Sequence, residues 1–351
     1  MAGAGLSPLQ ASGLDAQFQV RTDLAVEERE SFPGDGGEIR GVSLEEEYEP
    51  DADVKISRVV ILNEEGARAM RKPMGTYVTL EAEHMSQEDG DYHREIASVL
   101  ARELEALLPN KRKTRVLAVG LGNQDLTADS LGPRVLANLR VTRHLLLEYG
   151  EEFGEKYDLP DLWGLAPGVM AQTGMETAEI LKGIIAQTRP DAVIAIDALA
   201  ARSVRRLGTT IQLTDTGIHP GAGVGNHRNS LTEESLGVPV LAIGVPTVVG
   251  AAAIVHDTIG ALIGTLEGHE STKGAARFVK DSAPEEQYAL IRELLEPEFG
   301  PMYVTPKDID ATVKQLSYTI SEGIHMALYG SNASDNGTQP QARQSKQPQT
   351  R

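Results

Sequence analysis

The chain has 351 residues, 33 Lys and Arg against 51 Asp and Glu, and a net charge of −18, which argues against a basic nucleic-acid-binding surface. It has no cysteine, which excludes disulfides, a thiol nucleophile and thiolate metal sites and fits a reducing interior. No apolar run is long enough for a membrane span, and the start lacks the basic-then-apolar order of a signal peptide, so a cytoplasmic protein with no membrane partner is expected.

Residues 1–19 are rich in Ala, Gly, Ser and Gln and read as flexible, whereas 20–27 are more patterned. Residues 31–50 carry Gly34, Gly36, Gly37 and the acidic run Glu45-Glu46-Glu47, and read as a solvated loop. Strands are expected over 54–62 and 77–83, bracketing a short helix over 63–71 that Pro73 ends. Within 92–108, Ile96, Leu100, Leu104 and Leu107 fall at helical spacing.

The stretch 115–138, RVLAVGLGNQDLTADSLGPRVLAN, is central. Its apolar run Val116-Leu117-Ala118-Val119, bounded by glycines, suggests a buried strand. A turn and a polar loop follow, and Asp129 to Pro133 open a helix. In a parallel α/β sheet the ligand site lies at the carboxyl ends of the strands, where Asp129 falls. Residues 131–147 read as a helix with a second segment at Val141, 150–161 as an acidic surface loop, and 175–187 as a helix packed on a sheet. A second buried strand, 192–196, ends on Asp197. Two carboxylates at one sheet edge shift each other's ionisation, so that one keeps a proton while the other stays charged, which suits activation of a water. Each is also compatible with a helix cap or an Asx turn.

Residues 209–213 read as a strand. The loop TGIHPGAGVGNHRN at 216–229 holds His219, Gly221 and Gly223, candidates for substrate binding because a glycine-rich backbone approaches a bound chain closely. It matches neither a P-loop nor a dinucleotide fingerprint. A strand at 238–243 and helices at 250–263, 285–294 and 308–328 follow, and the Gln-, Asn- and Ser-rich 331–351 reads as a disordered tail. The order of elements gives an α/β fold with a mainly parallel or mixed twisted sheet flanked by helices.

The stretches GLGNQDLTADSLGP, VTRHL, VIAIDALAARS, TGIHPGAGVGN and GVPTVV, in this order, resemble the germination proteases of spore-forming bacteria. The resemblance runs from about Val20 to Tyr329. It implies a fold like that of the hydrogenase-maturation proteases with additional strands. It also implies an atypical aspartic endopeptidase, homotetrameric, with no cofactor or metal, acting on small acid-soluble spore proteins in the developing spore and spore core. The family's catalytic aspartates match Asp129 and Asp197. The triplet Asp215-Thr216-Gly217 has the form found in pepsin-like enzymes but lies outside the matched pair. Family members are zymogens that cut themselves, and Thr22-Asp23-Leu24-Ala25-Val26-Glu27 has the form of a family cleavage site. Scission between Asp23 and Leu24 is therefore expected, in an accessible segment and faster as pH falls, giving a propeptide 1–23, a protease domain 24–330 and a tail 331–351. Alternatives are a metal-dependent maturation-type endopeptidase with His219 as third ligand, and a non-catalytic module that binds spore proteins.

Overall fold

A computed structural model describes residues 22–32, 39–85, 90–109, 114–219, 229–267, 291, 293–295 and 302–329. Among the described residues nine strands form one sheet: β1 (Val42–Glu49), β2 (Val54–Ile61), β3 (Gly75–Glu81), β4 (Val116–Gly120), β5 (Leu162–Leu165), β6 (Ala192–Ala201), β7 (Thr210–Thr214), β8 (Val240–Gly250) and β9 (Tyr303–Val304). The order is β1-β2-β3-β7-β8-β6-β4-β5, with β9 on the end of β8. From β1 to β8 neighbours are antiparallel, and from β8 to β5 they are parallel. The sheet is thus mixed, with β8 as the seam.

The helices are α1 (Ala25–Glu30), α2 (Glu64–Met70), α3 (Gly90–Leu107), α4 (Leu131–Asn138), α5 (Arg143–Tyr149), α6 (Glu151–Tyr157), α7 (Met170–Thr173), α8 (Thr177–Thr188), α9 (Glu233–Leu236), α10 (Ala251–Glu267) and α11 (Ile309–Tyr329). Alternation along the strands divides the core into two layers. Ile194 and Ile196 of β6, Leu241 and Ile243 of β8 and Ile211 and Leu213 of β7 face α3, α4 and α11, through Leu100, Leu104, Leu131, Leu316 and Ile320. Val193, Ala195 and Leu199 of β6 face the other way, with Leu181 of α8, Leu236 of α9, and Leu24 and Val26 around α1. Each fully buried Leu or Ile contributes about 1.5–3 kcal/mol.

Sequence and structure agree on β2, β3, β4, β7, α2, α3, α8, α10 and α11, within a few residues at the ends. Asn63 caps α2 by accepting from Gly66 N, and the left-handed Arg71 ends it before Pro73 is reached. Three expectations are corrected. Part of the 31–50 loop is strand β1, which pairs with β2 from Val42–Ile61 to Glu49–Val54 and adds the diagonal ion pairs Glu46–Lys55 and Glu47–Arg58. The acidic 150–161 segment holds helix α6, where Phe153 packs between Tyr149 and Tyr157 at i, i+4 spacing. The Asp197 strand does not end at Asp197 but continues to Ala201, as β8 runs beside it. The expected propeptide up to residue 21, Gly221, Gly223, most of 285–294 and the expected 331–351 tail lie outside the described residues.

Candidate active site

β4 and β6 run parallel, Val116 opposite Ala192 through Gly120 opposite Ile196. At the carboxyl end of β4, Leu121 N still donates to Ile196 O at 2.8 Å. The next β6 residue is Asp197, 5% exposed, whose Oδ1 accepts from Ala198 N at 2.9 Å. On the β4 side the chain turns through Gly122 at φ +109° into a 3-10 turn, Thr127–Asp129. Asp129 Oδ2 reaches back to accept from Asn123 N at 2.7 Å. Thr247 of β8 donates to Ala128 O at 2.7 Å and pins the turn against the sheet. Asp129 and Asp197 are therefore brought to one edge, held by the Leu121–Asn123 backbone and β8. Neither caps a helix: Ser130 holds the N-cap position of α4, Asp129 binds back to the β4 turn, and Asp197 lies inside β6.

Past the end of β4, Asp197 to Ala201 pair with β8 alone among the described strands. The segment Thr22–Glu27 lies against this stretch. Asp23 N donates to Ala200 O at 3.0 Å, and Ala200 N donates to Asp23 Oδ2 at 2.8 Å. Glu27, 1% exposed, accepts from Arg202 N at 2.7 Å, from Ser203 N at 2.9 Å, and from the Thr22 hydroxyl. Leu24 and Ala25 are fully buried. The expected accessible segment is thus packed into the fold. From Ala25 it is helical rather than an edge strand, because the Glu27 carboxylate satisfies Arg202 and Ser203 while Leu24 and Val26 fill the second core layer.

Two polar side chains that stood out in no motif meet this segment. Lys72 follows the left-handed turn at Arg71, and its Nζ donates to Asp23 O at 2.9 Å. Gln212 of β7 donates from Nε2 to the same oxygen at 3.1 Å and accepts from Ala25 N at 2.7 Å through Oε1. Gln212 and Asp197 both register with Gly244 of β8, so their side chains share a face and a row. An added Cβ at Gly244 would lie 2.4 Å from Leu199 Cδ1, so the Leu199 side chain would have to move. Burial holds the Lys72 ammonium below the usual lysine range, with Asp23, Glu28 and Glu27 opposing. Burial likewise pushes the Glu28 carboxyl up, opposed by Lys72, Arg71 and Arg202.

His219 lies within the field of the same charges. Lost solvation first and Lys72 second hold its imidazole below the usual histidine range, with Asp23 opposing. Among the described residues, no group of three or more His, Asp and Glu side chains is arranged to hold a metal ion. Asp215 of the pepsin-like triplet instead accepts from Thr76 N at 2.8 Å and ties β7 to β3. Sequence reasoning missed Lys72, Gln212 and Thr247. A glutamine inside the apolar run of β7 was the one signal available, since a buried amide needs partners.

A family model described as germination protease matches residues 20–284. The germination protease of Caldanaerobacter subterraneus subsp. tengcongensis is 48% identical over 310 residues, covering 88% of this chain and 94% of the relative. That of Clostridium tetani is 43% identical over 313 residues, covering 89% and 96%. That of Bacillus subtilis (strain 168) is 38% identical over 367 residues, covering 93% and 98%. With identity of this order along almost the whole chain, and with both aspartates inside the matched span, the chain belongs to the germination protease family.

Proposed function

We propose that the chain is an atypical aspartic endopeptidase that begins the degradation of small acid-soluble spore proteins at germination, with Asp129 and Asp197 as its catalytic pair. One carboxyl group holds a proton and the other is charged. The charged one takes a proton from water as the oxygen adds to the peptide carbonyl, and the acid gives its proton to the departing nitrogen. The observation that supports this best is the course of Thr22–Glu27 along the part of β6 that begins at Asp197. A segment with the form of a family cleavage site runs beside β6 just past Asp197, tied to Ala200 and Arg202.

On this reading the enzyme is made as a zymogen and cuts itself between Asp23 and Leu24. It releases residues 1–23, keeps 24–330 as the protease, and works as a homotetramer in the developing spore and spore core. The test is N-terminal sequencing and mass analysis of the incubated chain beside Asp129→Ala and Asp197→Ala. A new terminus at Leu24 in the parent and none in either variant is expected. Processing of a variant at the parent's rate would sink the reading. Loss of activity in chelator, restored by one added divalent ion, would favour the metal-dependent alternative, with His219 as the residue to mutate next.

A further inference from the structure

The Asp23–Leu24 peptide is held by more than its flanking side chains. Its carbonyl oxygen accepts from Lys72 Nζ at 2.9 Å and from Gln212 Nε2 at 3.1 Å. The same Gln212 amide accepts from Ala25 N at 2.7 Å, which fixes its orientation with the nitrogen toward the carbonyl. Gln212 thus spans the peptide as a neighbouring strand would, touching only backbone. Asp23 is anchored to Ala200, three residues beyond Asp197 on β6, and Gln212 stands in the Asp197 row across Gly244. Gln212 and Asp197 therefore share one face of the sheet, and Lys72 meets Gln212 at the Asp23 carbonyl on that face.

We infer that Lys72 and Gln212 are catalytic residues that polarise the carbonyl of the bond to be cut and hold the oxyanion formed on it. The inference rests on the self-cleavage reading above. When the oxygen of water bonds to the Asp23 carbonyl carbon, the carbonyl electron pair moves onto oxygen, and that oxygen is already between an ammonium and an amide N–H. The water's proton passes to the carboxylate of the Asp129–Asp197 pair. On collapse the carbon–nitrogen bond breaks, the electron pair leaves on Leu24 N, and the other carboxyl proton goes to that nitrogen. The products are the Asp23 carboxyl group and the Leu24 amine, with no further reactant needed. A half-buried ammonium suits this role, because a donor with part of its water removed acts more strongly on developing charge than one in full solvent. Burial also explains why Lys72 is held below the usual lysine range. Because both donors read backbone, the same grip serves any substrate chain that follows the course of residues 22–27.

The test is the rate of self-cleavage of the full chain, followed by mass, for the parent, Lys72→Met, Lys72→Arg and Gln212→Leu, with Asp129→Ala as the uncut control. Hydrogen exchange at the Asp23 and Ala200 amides reports whether the segment stays seated, and a melting curve reports the fold. Lys72→Met should slow cleavage about 100-fold or more, the effect of losing one oxyanion donor. It should do so with both amides still protected, and Lys72→Arg should recover most of the rate. Gln212→Leu should also slow cleavage. Lys72→Met cleaving within about threefold of the parent would overturn the inference while leaving the aspartate pair intact. So would a loss of rate that appears only together with loss of amide protection, since Lys72 would then be a tether. A parent chain that never cuts at Asp23–Leu24 would instead remove the self-cleavage reading, and this inference with it.

Discussion

Gly122 sits at φ +109°, and a Cβ there would lie 2.0 Å from Asp129 O and 3.1 Å from Asp129 Oδ1. No flexible side chain can give way, because the first obstacle is backbone. Gly122→Ala should displace the Asp129 turn, cost about 1–3 kcal/mol of stability, and lower kcat/KM by about 100-fold through misplacement alone. A variant with unchanged kcat/KM toward a spore-protein substrate would show that Asp129 is not positioned by this turn. His325 gives a second residue-level prediction. Its Nε2 accepts from Arg140 N at 2.9 Å, and burial first, then Arg140, hold its imidazole below the usual histidine range, with Glu322 opposing. The folded state therefore favours the neutral ring. Above about pH 6.5 the ring is neutral folded or unfolded, and no stability is lost. As pH falls below that value the unfolded chain takes up the proton first, so stability declines toward the depressed folded pKa. The melting temperature should fall between pH 6.5 and 5, and less so in His325→Gln, as read by scanning calorimetry. An identical slope in the variant would assign the effect elsewhere.

Among elements, the contact of α11 with α3 is the one most exposed to a small change. Gly323 lets the helices approach, and an added Cβ would lie 2.6 Å from Leu100 Cδ2 and 3.2 Å from Ala97 O. Gly323→Val should overpack this seam and cost about 1–3 kcal/mol in a denaturant titration, without altering the chemistry at Asp129. Elements of this kind were legible in the sequence. Ile96, Leu100 and Leu104 repeat at helical spacing, and the apolar run of β4, which periodicity alone could also read as a helix segment, points to a strand through its bounding glycines. Strand β1 was not, because its exposed Glu45, Glu46 and Glu47 look like a solvated loop until β2 supplies Lys55 and Arg58 as diagonal partners of Glu46 and Glu47. Asp129 and Asp197 were singled out through the motifs around them; Asp129 lies in the turn after β4, and Asp197 lies inside β6, one residue past its pairing with β4. Lys72 was not, since it meets Asp23 across 49 residues and nothing local to it marks the partner. Gln212 was half legible, as a buried amide with no indication of what it holds.

At the scale of the molecule, both ends of the sheet are poor templates for further pairing. β1 lines one edge with carboxylates, and β5 at the other is four residues long. Association into the proposed tetramer should therefore use helical or loop surfaces, and light scattering at moderate salt should report four chains. Removal of residues 331–351 should change neither that state nor the activity, because their composition offers little apolar surface to bury. A truncated chain that failed to fold would contradict this. The seam at β8 has a different consequence, for a chain still on the ribosome. β1, β2 and β3 can pair as soon as they emerge, but the inner neighbour of β3 is β7, as in Tyr77 opposite Thr214, about 130 residues later. At 5–20 residues per second, β3 waits on the order of ten seconds with one row of backbone groups unpaired. The meander is thus a transient sticky edge in the nascent protein, and chaperone supply during synthesis, more than final stability, should set the yield of folded enzyme.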